Sequence, residues 1–222
     1  MSLRFPLIVS LLLIAAMLAG AAHAWSLLPP NAVLATHWDA SGHVNGHMPK
    51  TLALFIAPLM GLGMMGLFAL LPYIDPRGRN LLESGKFYVA GWLGAIALLA
   101  TAQAGIVATA FHLPVDMRSI VLAATALLLI VLGNYAGKVR ANFFAGFRTP
   151  WTLSSDYAWE HTNRLGGKLF MLTGTATIAA LLVFDSRVAV FVMTMGVLLA
   201  ALIPAGMSYV YWRRDPERTA AP

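Results

Sequence analysis

The chain contains the stretch LFMLTGTATIAALLVF (Leu169–Phe184), then only Asp185-Ser186-Arg187, then VAVFVMTMGVLLAALIPAGMSYVYW (Val188–Trp212). Neither stretch carries a charged residue, and about 20 apolar residues are enough for a helix to cross the hydrocarbon core of a bilayer. A three-residue linker cannot lead the chain back across a membrane. The two stretches therefore predict a pair of antiparallel, neighbouring transmembrane helices.

Four further apolar stretches precede this pair. They cover Phe5–Ala24, Leu52–Ile74, Tyr88–Phe111 and Ser119–Tyr135. Of the 222 residues, 59% are hydrophobic and 11% charged, and the mean hydropathy is +0.74. Soluble domains carry about 25% charged residues, so the composition excludes an ordinary soluble protein. We predict an all-α polytopic membrane protein, a bundle of six transmembrane helices that forms one membrane domain over residues 1–222.

The first stretch has a second interpretation. A basic start, an apolar run and Ala22-His23-Ala24 resemble a cleavable secretory signal. The apolar run is about 18 residues, whereas signal peptides usually have about 7–15, and this length favours a retained membrane anchor.

Basic residues predict the orientation of the bundle. With the N-terminus in the cytoplasm, the inside segments carry twelve Lys and Arg residues and the outside segments carry three. Cytoplasmic loops are enriched in Lys and Arg, so we predict that both termini are cytoplasmic. Residues 25–51 then form an extracytoplasmic loop region, and residues 136–168 form a cytoplasmic loop. The basic residues lie between apolar blocks rather than on one stripe, so no nucleic-acid partner is expected.

The predicted spans contain no charged residue or histidine near their centres. Such residues usually mark ion and substrate pathways, so this pattern disfavours a proton-coupled transporter. Gln103 is the most polar side chain within the spans, and we expect it to hydrogen-bond a neighbouring helix. A small-molecule transporter stays an alternative.

The extracytoplasmic loop concentrates potential metal ligands. His37, Asp39, His43 and His47 lie within eleven residues, and imidazole and carboxylate groups are suitable ligands for zinc and other divalent ions. One hypothesis is a divalent metal site that activates water in a metal-dependent membrane protein. The alternative is a compact, turn-rich cap without a cofactor. No catalytic triad or carboxylate pair is evident, so an enzyme is not the expected class.

The cytoplasmic loop is long, basic and aromatic. Pro150 should hold Thr149 in an extended conformation, and Ser154 or Ser155 could cap a short helix that runs to Arg164. On that helix Glu160 and Arg164 are spaced to form an ion pair. Arg148 could pair with Asp75, Asp156, Glu160 or a lipid phosphate. The loop is consistent with an interfacial anchor and equally with a docking surface.

These loops carry a family resemblance. The cytoplasmic signature consists of Gly133-Asn134-Tyr135, Asn142, the run Gly146-Phe147-Arg148-Thr149-Pro150-Trp151-Thr152-Leu153-Ser154, and Trp159, Thr162, Arg164, Gly166 and Gly167. It resembles the SdpI family of bacterial membrane proteins, as do Thr36-His37-Trp38 with Gly42, Gly46 and Lys50, and Pro72 to Arg77 with Asn80. Ala136-Gly137 departs from the Leu-Pro pair expected there, which should leave the chain less rigid after the fourth span.

The resemblance implies a protein of the bacterial cytoplasmic membrane that protects its cell against a secreted toxic peptide. It further implies a possible cytoplasmic repressor as a partner. The residues on which the family signature falls, and hence the expected toxin- or partner-binding residues, are Asn142, Arg148, Thr149, Pro150, Trp151, Trp159 and Arg164.

Overall fold

The protein is described by a computed structural model that covers residues 2–219. Its elements are α1 Arg4–Leu27, β1 Val33–Trp38, β2 Val44–Pro49, α2 Lys50–Ile74, α3 Gly78–Glu83, α4 Gly85–Ala110, α5 Met117–Ala136, α6 Pro150–Leu153, α7 Asp156–Val183, α8 Ser186–Arg213 and α9 Pro216–Thr219. Within this part of the chain six helices, α1, α2, α4, α5, α7 and α8, are long and apolar enough to cross a membrane. The predicted six-span helical architecture is confirmed.

The six spanning helices form two units of three. Helices α1, α2 and α4 pack together, as do α5, α7 and α8, and the two units meet mainly along α4 and α5. Helices α7 and α8 are extensively packed neighbours, as their short linker predicts. In the first unit Gln103 donates a hydrogen bond from Nε2 to the carbonyl of Met17 at 2.8 Å, which confirms its expected role between helices.

Helix α7 differs from the prediction. The short helix expected up to Arg164 and the span expected from Leu169 are one continuous helix of 28 residues. Gly166 and Gly167 do not interrupt it, because the helix uses Gly167 for close packing: a Cβ there would lie 2.6 Å from the carbonyl oxygen of Gly133 on α5. Residues 156–168, which were predicted as part of the cytoplasmic loop, therefore belong to helix α7, and the loop after α5 ends at Ser155.

The loop between α1 and α2 contains the only strands among residues 2–219. Strands β1 and β2 pair antiparallel with irregular register, an element that the all-α prediction did not contain. We call residues 33–49 the hairpin. Lys50 anchors it: the buried side chain donates from Nζ to the carbonyls of Trp25 and Leu28 at 3.0 and 2.8 Å and so satisfies carbonyls left open at the end of α1.

The two long loops lie at opposite ends of the helices. The hairpin contacts the start of α5, where Arg118 donates to the carbonyl of Ala40 at 3.0 Å. Residues 137–155, which we call the signature loop, follow the end of α5. They contact the turn after α2 through Asp75 and the residue beyond α8, Asp215. We refer to the hairpin end and the signature end of the molecule.

Candidate functional site

Asn142 organises the first half of the signature loop. The side chain is fully buried. Its Oδ1 accepts hydrogen bonds from the backbone N–H groups of Phe144 and Ala145 at 2.9 and 2.6 Å, and its Nδ2 donates to the carbonyls of Arg140 and Ala145 at 2.8 and 3.1 Å. Buried backbone groups require such partners. Asn142 therefore closes the turn and offers no polar group to a ligand.

Helix α7 holds the middle of the loop. Asn163 is buried and accepts a hydrogen bond from the N–H of Phe147 at 2.8 Å. Trp159 is buried as well, and its indole Nε1 donates to the carbonyl of Val139 at 2.6 Å. Gly146 has φ +101° and lies so close to α7 that a Cβ would be 2.5 Å from Oδ1 of Asn163, so glycine is required on both counts.

The Arg-Thr-Pro-Trp stretch is explained by a capped single turn. Thr149 is extended, with φ −106° and ψ 163°, and its side chain accepts from the N–H of Thr152, whose hydroxyl accepts from the N–H of Thr149 in return. Pro150 occupies the first helical position, where a missing N–H has no cost. The predicted extended conformation of Thr149 is confirmed.

The same turn is fastened to α8. The hydroxyls of Thr149 and Ser208 lie 2.9 Å apart, and Trp151 packs edge-on against Tyr209 with 5.2 Å between ring centroids. One turn later Ser155 caps α7 by accepting from the N–H of Ala158 at 2.9 Å, which confirms one of the two predicted caps.

The loop also binds the first three-helix unit across the turn around α3. Asp75 is buried and its Oδ2 accepts from the N–H of Phe143 at 3.1 Å. Asn80 donates from Nδ2 to the carbonyl of Ala141 at 2.7 Å, and the guanidinium of Arg140 forms an ion pair with Glu83 at 2.7 Å. The loop is thus a brace between the two units, and these contacts hold it in place although Gly137 stands where the resemblance expects proline.

Of the seven predicted binding residues, Arg148, Pro150 and Arg164 are exposed. Arg148 donates from its guanidinium to the carbonyl of Phe143 at 2.9 Å and forms none of the ion pairs found among residues 2–219. Arg164 pairs with Glu160 at 2.5 Å, as its spacing predicts. Thr149 and Trp151 are half-buried and Asn142 and Trp159 are buried, so the three exposed residues are the most accessible part of the set to a partner.

At the hairpin end, Asp39 closes the turn between the strands. Its Oδ1 accepts from the N–H groups of Ser41 and His43 at 2.8 and 2.9 Å. The hydrogen bond from the His43 backbone is the largest cause of a lowered pKa of the Asp39 carboxyl. Gly42 has φ +84° and completes the turn.

The hairpin does not assemble the four predicted metal ligands. The ring of His43 lies 3.6 Å from Asp39, but His37 contacts Asn45 instead, and the backbone of His47 pairs with Ala35. Within residues 2–219 no three His, Asp or Glu side chains are grouped as a metal ion requires. The geometry gives the metal-site hypothesis no support.

A cavity of about 390 Å³ lies between the hairpin and the helix ends beneath it. The residues that line it from the hairpin, α4, α5 and α8 are Thr36, His37, Trp38, Asp39, Ala40, Ala102, Ile106, Met117, Arg118, Val121, Leu122 and Val190. In the sequence Arg118 is one of the three basic residues predicted outside the cell. Its position in the short linker between two spans was the available signal that it faces the hairpin.

Comparison with known proteins agrees with this architecture. Residues 138–208, from the signature loop to α8, match the SdpI/YfhL protein family, and residues 11–62, from α1 through the hairpin into α2, match a domain of unknown function, DUF1648. The immunity protein SdpI of Bacillus subtilis (strain 168) is 32% identical over 100 residues, which are 45% of this chain and 48% of that protein. No solved structure matches.

The fold and these matches define a polytopic helical membrane protein, multi-pass in the bacterial inner membrane. Residues 138–208 of the chain are similar to the SdpI/YfhL family, and part of the chain is similar to the immunity protein SdpI. The aligned part of the chain spans about half the length of the curated relative.

Proposed function

We propose that this protein is an immunity protein that protects the cell membrane against a secreted toxic peptide, without catalysing a reaction. The observation that carries the proposal is the match of the chain to a relative named an immunity protein, supported by the family match over the element that braces the two helix units. The toxin meets the exposed hairpin and adjoining helix ends, which the distribution of basic residues places outside the cell.

The polar groups within the spans fit a binding role better than transport. Thr101, Thr109 and Thr177 donate their hydroxyls to carbonyls of their own helices, and Gln103 bonds to α1. The three hydroxyls and Nε2 of Gln103 are thereby occupied in packing, whereas Oε1 of Gln103 has no partner among residues 2–219. Among the residues that the structure describes, they do not make the connected polar pathway that a small-molecule transporter needs.

A cytoplasmic repressor is a second proposed partner. Arg148 and Pro150 are exposed in the middle of a motif most of whose other members are buried or half-buried. Exposed arginine beside a rigid turn is suitable for binding an acidic partner surface. On this proposal the partner binds at Arg148, and the buried members of the motif hold that surface in place.

The test of immunity is a toxin challenge. The gene is deleted in its own host and expressed in a sensitive strain, and both are exposed to a candidate small secreted toxic peptide. We expect the deletion to increase sensitivity and the expression to confer survival. A membrane-active peptide of unrelated sequence is the control, and survival against it should not change. Unchanged sensitivity in both strains contradicts the proposal.

A further inference from the structure

The cavity under the hairpin extends from the membrane surface into the helix bundle. Ala102 lies eight residues before the end of α4 at Ala110, which is about 12 Å along the helix at about 1.5 Å per residue. On α5 the lining begins at the first helical residue, Met117, and continues to Leu122. The cavity is therefore deep enough to hold part of a hydrocarbon chain.

The lower walls of the cavity are apolar. Ala102 and Ile106 on α4 face Val121 and Leu122 on α5 across it, and Val121 is also 39% exposed on the outside of the bundle. An apolar wall favours an apolar occupant. Because the walls belong to membrane-spanning helices, the adjacent source of such an occupant is the bilayer itself.

The mouth of the cavity carries a guanidinium with unused bonding capacity. One terminal nitrogen of Arg118 donates to the carbonyl of Ala40 at 3.0 Å, and its Nε is buried with no hydrogen-bond partner among residues 2–219. Arg118 also forms none of the ion pairs in this part of the chain. A buried donor of this kind requires an acceptor, and phosphate matches guanidinium geometry.

Two carboxylates lie near Arg118, and they have different roles. Asp116 caps α5, where its carboxylate accepts from the hydroxyl and N–H of Ser119. Asp39 lines the cavity beside Ala40, with Oδ1 bound to the hairpin turn and Oδ2 3.6 Å from the ring of His43. The cavity mouth thus presents one cationic and one anionic side chain.

We propose that the cavity binds one zwitterionic aminophospholipid from the leaflet at the hairpin end. Arg118 holds its phosphate, Asp39 faces its ammonium group, and one acyl chain lies between α4 and α5. This inference does not depend on the immunity proposal, since it requires no toxin. It gives the hairpin a fixed lipid as part of its support on the membrane.

The test is lipid binding to the purified full-length protein in detergent, measured by native mass spectrometry. The probes are palmitoyl-oleoyl phosphatidylethanolamine, the corresponding phosphatidylglycerol, and the corresponding diacylglycerol, which has no phosphate. We expect the protein to retain one phosphatidylethanolamine in preference to phosphatidylglycerol, and diacylglycerol least. Arg118→Gln should weaken the binding of both phospholipids by about tenfold or more.

Matched variants separate charge from folding. Asp39→Asn keeps an oxygen acceptor for the hairpin turn and should remove the preference for phosphatidylethanolamine. Ala102→Phe should reduce binding by filling the lower part of the cavity, independently of any charge. Arg187→Gln is the control, because Arg187 is an exposed arginine at the same end of the molecule, and it should bind like wild type. The thermal midpoint in lipid-free detergent checks that each variant folds.

Equal binding by wild type and Arg118→Gln would overturn the proposal, as would equal retention of diacylglycerol. A third result would do the same: if Arg118→Gln and Ala102→Phe bind lipid normally but lose protection in the toxin challenge, the cavity serves a peptide. Immunity is tested separately by the gene deletion. Loss of protection in the deletion strain supports immunity, whatever lipid selectivity the purified protein shows.

Discussion

The signature end and the hairpin end use their polar residues in opposite ways. At the signature end Asn142, Thr152 and Asn163 are buried and bound to the backbone of the loop or to α7. At the hairpin end His43 is exposed and Asp39 is half-buried, above a cavity. The comparison teaches that the most recognisable motif in the chain is mainly a brace, whereas the open site lies where the sequence is less distinctive.

The strongest test of this comparison is whether the two ends occupy different compartments. The chain has no cysteine, so Ser41→Cys in the hairpin turn and Ser154→Cys in the signature loop each introduce a single thiol at an exposed position. A membrane-impermeant maleimide should label the first in intact cells and the second only after permeabilisation. Labelling of both in intact cells would contradict the predicted orientation.

Asn142→Ala should cause the largest loss of stability. The substitution leaves two backbone N–H groups and two carbonyls of a buried turn without their partner, at a cost of about 3 kcal/mol in the free energy of unfolding. Thermal unfolding in detergent measures the change. Asn134→Ala is the control, because Asn134 is exposed on α5 and should change stability by no more than about 0.5 kcal/mol. Similar values for both would mean that Asn142 is no brace.

Lys50→Met tests how firmly the hairpin is anchored. The buried ammonium group bonds to two carbonyls at the end of α1 and lies 4.5 Å from the centre of the Trp25 ring. Methionine has a similar length but no hydrogen-bond donor. We therefore expect the free energy of unfolding, measured by thermal unfolding, to decrease by about 2 kcal/mol. Lys138→Met, at an exposed lysine of the other end, should have almost no effect. An unchanged midpoint for Lys50→Met would show that the hairpin is held by other contacts.

Arg148→Ala should affect function more than stability. Its exposed side chain makes one hydrogen bond, to the carbonyl of Phe143. We therefore expect the free energy of unfolding to decrease by less than about 1 kcal/mol. Protection in the toxin challenge should decrease although the protein accumulates normally. Arg79→Ala removes an ion pair to Glu83 whose side chains are 91% and 32% exposed, worth about 0.2–0.5 kcal/mol, and serves as the matched arginine control because Arg79 is not among the predicted binding residues. Full protection by Arg148→Ala would contradict its partner role.

The smallest expected effect is the acid sensitivity of the hairpin turn. Hydrogen bonds from the His43 and Ser41 backbone lower the pKa of Asp39 below its usual 3.8, so its contribution to the turn is complete above that pH and disappears as the pH falls through the lower native value. Carbon-13 NMR of labelled aspartate should show a midpoint below 3.8 that is absent in Asp39→Asn. An ordinary midpoint would mean that the turn does not use this carboxylate.

The spans were predictable because each is a continuous apolar run long enough to cross a bilayer. The second predicted span, Leu52–Ile74, corresponds to α2 at Lys50–Ile74. Local rules predicted a cap at Ser154 or Ser155, of which Ser155 is the cap, and the Glu160–Arg164 pair. These features depend on residues a few positions apart. A single sequence is sufficient for interactions of that range.

Features that depend on distant residues were not predictable. The strands of the hairpin are short, and β2 contains Asn45, Gly46 and Pro49. Gly166 and Gly167 continue helix α7 because Gly166 lies against Phe147 and Gly167 against Gly133. Asn163, Asp215 and Arg118 contact residues 16, 60 and 78 positions away, and no local pattern marks those partners. The toxin, the repressor and a bound metal stay predictions.

The hydroxyl of Ser155 donates a hydrogen bond to Asp215 at 2.6 Å. This bond, which we call the clasp, joins the start of α7 to the residues after α8, whereas at their opposite ends the two helices are joined by the short linker between them. Asp215 is buried and lies beyond the last spanning helix. Deleting the chain after Arg214 would open this clasp and loosen the start of the helix that carries Trp159. A fluorescent reporter should therefore be joined after Thr219, since one joined directly after Arg214 would remove Asp215 and disturb the brace from a distance.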